Sequence, residues 1–263
     1  MELFEILVLI IAGLLVGFIN TLAGGGSIIS LSVLMMLGLP APIANGTNRI
    51  AIAIQNIAAV SSFKQQKVLD AKKGIWLAIP AVVGSLIGAW IAVDINEEVF
   101  EKAIAVVMLM MLVFIVYKPQ KWIKERTKMV ERKVTVWQVI LFFFIGVYGG
   151  FIHVGVGYFL LAGLVLGAGY ELVKANAVKV LIILLYSPFT IFIFFANGQI
   201  NWAYGLIMAI GNVVGALIAS RMAVKKGAKF VRWVIVAVIL LTSLHLFDII
   251  NLKEHVSSIS QPS

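Results

Sequence analysis

The 263-residue chain is 62% hydrophobic and 13% charged, with a mean hydropathy of +1.06, whereas a soluble domain carries about 25% charged residues. That balance excludes a soluble globular domain of useful size and reads as an all-α polytopic membrane protein whose first partner is the lipid bilayer. The net charge of +9 sits in short loops between apolar runs, the pattern of cytoplasmic loops, so no nucleic-acid partner is expected, and the lack of cysteine excludes disulfides and thiolate metal sites.

Taken in chain order, apolar runs fall at about 3–22, 27–39, 47–62, 75–93, 99–117, 136–153, 158–169, 176–196, 202–220 and 231–248, ten in all. The opening "MELFE" is acidic where a signal peptide would be basic, so no cleavable leader is expected. Most runs approach the roughly 20 residues that a spanning helix needs. Two are short, 27–39 and 158–169, and both follow a glycine cluster, "AGGGS" and "HVGVGY". Short or glycine-broken segments at matching places in two halves point to a carrier's binding site. The loops "KQQKVLDAKK" (64–73), 118–135 and "RMAVKKGAK" (221–229) are basic and are expected in the cytoplasm. The acidic "DINEE" (94–98) and uncharged "ANGQIN" (196–201) are expected outside, as are both termini.

The halves align weakly but in order. "GGGS" (24–27) matches "GVGY" (155–158), and "ANGTNRI" (44–50) matches "ANAVKVL" (175–181) at the same offset. After small gaps "GSLIGAWIA" (84–92) matches "GNVVGALIA" (211–219). Five segments per half turn the second copy upside down, and the loop charges agree. The expected organisation is a membrane repeat over 1–117, a basic cytoplasmic linker over 118–135, an inverted repeat over 136–250 and a polar tail over 251–263.

"GFINTLAGGGSIISLSVLMMLGLPAPIANGTNRI", "NAVKVL" and "NGQINWAYGLIMAIGNVVGALIA" resemble the TauE/SafE family of sulfite and organosulfonate exporters, the TSUP transporters. The resemblance covers nearly the whole chain. It implies a plasma-membrane protein that moves small sulfur oxyanions or organic acids, with no enzyme activity. The second-half "GVGY" is a degenerate copy of the glycine element.

The residues suggest where an anion would sit. Asn45, Asn48, Arg49, Ile52 and Asn56 fall at helical spacing, with Gln55 beside them. The second half repeats the stripe with Asn176, Lys179, Ile183, Tyr186, Ser187 and Thr190. Lipid cannot satisfy such groups, so they face the bundle interior or a wet cavity. Arg49 and Lys179 are read as anion-binding cations, with snorkelling to the headgroups as the alternative. Asn48 and Asn56 stand equally as substrate contacts or interhelical hydrogen bonds. Short helices starting near Ser27 and Tyr158 would aim free N–H groups into the membrane interior; the alternative is that their glycines only allow close packing. The candidate substrate contacts are therefore Gly24, Gly25, Gly26, Ser27, Asn45, Thr47, Asn48, Arg49, Gly155, Gly157, Tyr158, Asn176 and Lys179. His153, Gln55, Asn56 and Tyr186 are candidates for gating or a proton-linked step. The Gly-x-x-x-Gly patterns read as helix packing. No carboxylate lies inside a span, no Walker-type phosphate loop is present, and neither cofactor nor metal is expected. The leading function is a secondary exporter of a small sulfur anion; an uptake permease and an anion channel are the alternatives. Oligomeric state is not readable, and a homodimer is carried only as an option.

Overall fold

The computed structural model describes residues 1–94, 130 and 133–246, with side chains up to 238. The expected segment 99–117, residues 95–98 of the acidic loop, most of the linker 118–135 and the tail 251–263 lie outside the described residues. All regular structure among the described residues is helical: α1 Leu3–Leu22, α2 Ser27–Met36, α3 Ala41–Gln65, α4 Ala71–Asp94, α5 Val136–Phe151, α6 Val156–Ala162, α7 Leu172–Ala196 and α8 Trp202–Leu246. The last turn of α6 widens into a π-turn at Gly163–Gly167.

Among the described residues four helices are long and apolar enough to cross a membrane: Leu3–Leu22, Ala71–Asp94, Leu172–Ala196 and Trp202–Val238. α3 has comparable length, 25 residues and so about 37 Å, but its polar stripe lowers its hydropathy. Those polar groups point inward. Asn45, Thr47 and Asn48 are fully buried, while Phe192, Phe144 and Trp90 are 69%, 63% and 57% exposed. A chain with apolar groups outside and amides inside is built for a hydrocarbon solvent.

Several boundaries move from the sequence expectation. α3 starts at Ala41 rather than 47, because Pro40 and Pro42 preset its first turn. α7 starts at Leu172 rather than 176, because the Glu171 carboxylate caps it, accepting from the Lys174 and Val173 N–H groups at 2.8 and 3.0 Å. The runs 202–220 and 231–248 stay two helices, as expected: the stretch labelled α8 is two helical arms that meet at Gly227, whose φ of 74° and ψ of −177° are not helical.

Two glycine seams lock the halves together. Added Cβ atoms on Gly13 and Gly17 of α1 would collide with backbone of α8, and those on Gly211 and Gly215 of α8 with backbone of α1. The second seam joins Gly84 and Gly88 of α4 to Gly146 and Gly150 of α5 in the same manner. The Gly-x-x-x-Gly patterns are thus packing devices that bring backbones into contact. They hold the carboxyl ends of α1 and α5 in place, and the buried cations meet those ends.

Candidate functional site

Both short helices follow real breaks. α1 stops at Leu22 and α2 begins at Ser27; Gly24, with φ of 90°, turns the chain in a region that disfavours side chains. α5 stops at Phe151 and α6 begins at Val156, slightly ahead of the expected Tyr158, with Gly155 in the left-handed region at φ 69°. The Tyr148 hydroxyl pins this second break by donating to the Val154 carbonyl. The breaks touch. A Cβ on Gly24 would strike the Gly157 backbone and the converse also holds, while the Tyr158 ring lies over Gly25. Both glycines are therefore needed for close backbone approach, whatever else they do.

Two of the buried cations, Arg49 and Lys179, each reach across to the other half and close off a helix end. Arg49, 2% exposed, donates from Nη1 to the Gly149 carbonyl at 3.0 Å. Its Nη2 donates to Gly150 at 2.6 Å and, more weakly, to Phe151 at 3.4 Å. Asn45 on the same helix gives its Nδ2 to Phe151 at 3.0 Å. Lys179, fully buried, donates from Nζ to the Asn20 and Thr21 carbonyls at 2.8 and 3.1 Å and to Asn176 Oδ1 at 2.6 Å. Asn176 in turn gives Nδ2 to the Leu22 carbonyl at 3.0 Å, which fixes its amide orientation. The last carbonyls of a helix lack intrahelical partners and carry its negative dipole end, so a cation there is doubly favoured.

This geometry removes the snorkelling alternative, since both charged heads end on buried carbonyls. The flat fork of Arg49 is spent on Gly149, Gly150 and Phe151, and its Nε makes no hydrogen bond. Among the described residues no Asp or Glu is buried, so neither charge is neutralised by a carboxylate.

Between the breaks lies a small cavity of about 10 Å³, lined by Asn20, Gly24, Ile52, Gln55, Asn56, His153, Val156, Gly157 and Ile183. That is room for about one water. His153 Nδ1 meets the Tyr186 hydroxyl at 3.2 Å. Gln55 Oε1 accepts from Asn212 Nδ2 at 3.2 Å, whereas both polar atoms of Asn56 are buried without a partner. An unpaired buried amide costs about 1–3 kcal/mol, so its retention beside a cavity points to a ligand or ordered water.

Of the residues singled out from sequence, Gly24, Gln55, Asn56, His153 and Gly157 reach this cavity, with Tyr186 one hydrogen bond behind. Gly25, Gly26, Ser27, Gly155 and Tyr158 form the breaks around it. Asn45, Arg49, Asn176 and Lys179 stand on the helix ends, and Arg49 and Lys179 do not line the cavity. Asn48 is buried with both amide atoms unpaired. Thr47 is not brought in: its hydroxyl accepts from the Asn201 N–H at 2.9 Å and anchors the α7–α8 turn. Asn20 and Asn212 were missed. Asn20 lines the cavity, contacts Ser27 Oγ at 3.4 Å and supplies a carbonyl to Lys179. An asparagine in the apolar run before "AGGG" was the available signal.

Residues 9–246 match the family described as Sulfite exporter TauE/SafE. The chain belongs to this family. Among curated relatives, it is 27% identical to the probable membrane transporter protein ORF9 of Sinorhizobium sp. over 90% of both chains. It is 24% identical to a probable membrane transporter protein of Haemophilus influenzae over 92% of this chain and 94% of the relative. Identity to the probable membrane transporter protein YfcA of Escherichia coli K12 is 27%, over 88% and 85%. No solved structure matches. The chain is a multi-pass membrane transporter of the TauE/SafE family.

Proposed function

We propose that this TauE/SafE-family transporter is a secondary carrier that moves a small sulfur-containing anion, sulfite or an organosulfonate, out across the plasma membrane. The observation that carries the reading is that two of the buried cations, Arg49 and Lys179, stand at the ends of the broken helices, with no buried carboxylate among the described residues. Helix dipole ends offset only about half a charge each, so the interior keeps a positive field that an entering anion would complete. The family description supplies sulfur and the outward direction. The small size of the cavity, with the Gly24 backbone against Gly157 at its wall, supports a carrier that opens alternately over an open channel.

In this reading the substrate sits where the cavity now is, against Asn20, Gln55, Asn56 and His153, after the two breaks separate. Arg49 contributes its field and its free Nε proton, and Lys179 its field alone. The matched cradles, each reaching from one half to a helix end of the other, support an arrangement of two inverted five-segment repeats, ten segments in all, with both termini outside. A cysteine at Lys225 should then react only from the cytoplasmic side; labelling from outside in sealed right-side-out vesicles would refute the orientation.

The function is tested on purified protein and proteoliposomes. Labelled sulfite and an alkanesulfonate should show saturable flux. Arg49→Ala should bind them about 30-fold more weakly, the scale of one lost charge-assisted hydrogen bond. Flux that never saturates would favour a channel, and unchanged affinity would remove Arg49 from the site.

A further inference from the structure

Lys179 uses every donor it has. Its Nζ faces three oxygens, Asn20 O, Thr21 O and Asn176 Oδ1, at 2.8, 3.1 and 2.6 Å. All three are acceptors, since the Asn176 Nδ2 is committed to Leu22 O. Three acceptors require three protons, and only the ammonium form has them. The group is therefore a compact monovalent cation, fully buried, coordinated by two carbonyls at the carboxyl end of a broken helix and one amide oxygen. In carriers built from discontinuous helices, such unwound carbonyls and half-helix ends are where a coupling cation binds.

We infer that Lys179 is a resident replacement for a coupling cation: its ammonium fills an oxygen cradle that would otherwise take sodium or potassium. Arg49, on the Gly149, Gly150 and Phe151 carbonyls, does the same at the end of α5. The inference rests on the carrier reading above for its consequence, that anion transport is independent of alkali cations. Its core, that the cradle selects a monovalent cation, stands on the geometry alone. A freely bound ion would load and leave with each cycle. A tethered one keeps the positive charge in place whether or not substrate is bound.

The test is made on the full-length protein in detergent at constant ionic strength, in choline, sodium and potassium chloride. Lys179→Ala empties the cradle and leaves room for an ion. Sodium or potassium should raise its melting temperature by about 5 °C over choline, because a bound ion stabilises only the folded chain. The parent, and Lys179→Met, whose stem blocks the cradle, should show no such difference. Sulfite binding by Lys179→Ala should tighten about tenfold in the stabilising salt, while binding by the parent stays the same in all three. A Lys179→Ala protein that ignores the salts, or fails to fold in all of them, overturns the inference; so does equal rescue of Lys179→Met, or a parent that needs sodium to bind. A parent that binds no sulfur oxyanion in any salt counts against the proposed function, and the melting temperatures still decide the cradle.

Discussion

The cradles of Arg49 and Lys179 perform one task with different completeness. Both seize the carboxyl end of the broken helix in the other half, and both have an asparagine beside them holding a neighbouring carbonyl, Asn45 on Phe151 and Asn176 on Leu22. Lys179 ends saturated, with three protons on three oxygens. Arg49 keeps an unpaired Nε, and near it in sequence Asn48 has both amide atoms unpaired and Asn45 an unpaired Oδ1. One cradle is therefore finished as structure, and the other holds buried polar capacity in reserve. Buried groups that cost free energy when unpaired are where a ligand can be rewarded.

The most damaging change should be at the contact between the two breaks, because backbone meets backbone there with no space for a side chain. Gly24→Leu needs a side chain at φ 90° and drives its Cβ into the Gly157 backbone. Loss of about 3 kcal/mol or more, or failure to fold, is expected from strain and overpacking together. Gly38→Ala, also at positive φ but with nothing within 4 Å, should cost only about 1 kcal/mol. Thermal melts of both variants in one detergent make the comparison, and similar losses would mean the break contact is unimportant.

The cradles themselves are compared by exchanging their cations. Arg49→Lys can still serve one or two of the α5 carbonyls and should lose about 1–2 kcal/mol. Lys179→Met leaves three oxygens without a donor and should lose about 3 kcal/mol or more. A reversed order would show that the saturated cradle is the less important one.

Asn56→Leu sharpens the contrast between structure and site. Removing the unpaired amide should leave stability unchanged or raise it by about 1 kcal/mol. Anion affinity should nevertheless fall about tenfold, as for one lost hydrogen bond to a charged group. Loss of stability with intact binding would assign Asn56 to packing. The smallest effect is expected at Tyr186→Phe, which deletes only the hydroxyl contact to His153 and should cost about 1 kcal/mol or less.

How far the sequence reached can be seen in particular residues. The breaks were legible because glycine clusters interrupt apolar runs, and chemistry local to the chain ends a helix there. The polar stripe on α3 was legible as an inward face, since amides and a guanidinium at helical spacing cannot face lipid. The partners of Arg49 were not legible: they lie 100 to 102 residues away and are backbone carbonyls, which every residue carries. For the same reason the bond from the Asn201 N–H to Thr47 was not foreseen, nor was the place of Asn20 in the cavity wall.

Composition and periodicity determined that this chain is helical and lives in a membrane, because the cost of exposing polar groups to hydrocarbon acts on every residue wherever it sits. Spacing determined that polar stripes face inward and that glycine clusters break two helices, because those are properties of short stretches. Only the tertiary structure decided what the buried cations do. The glycine seams place the ends of α1 and α5 against α7 and α3, and a bare carbonyl draws a cation only once packing has carried it there and excluded the water that would otherwise satisfy both.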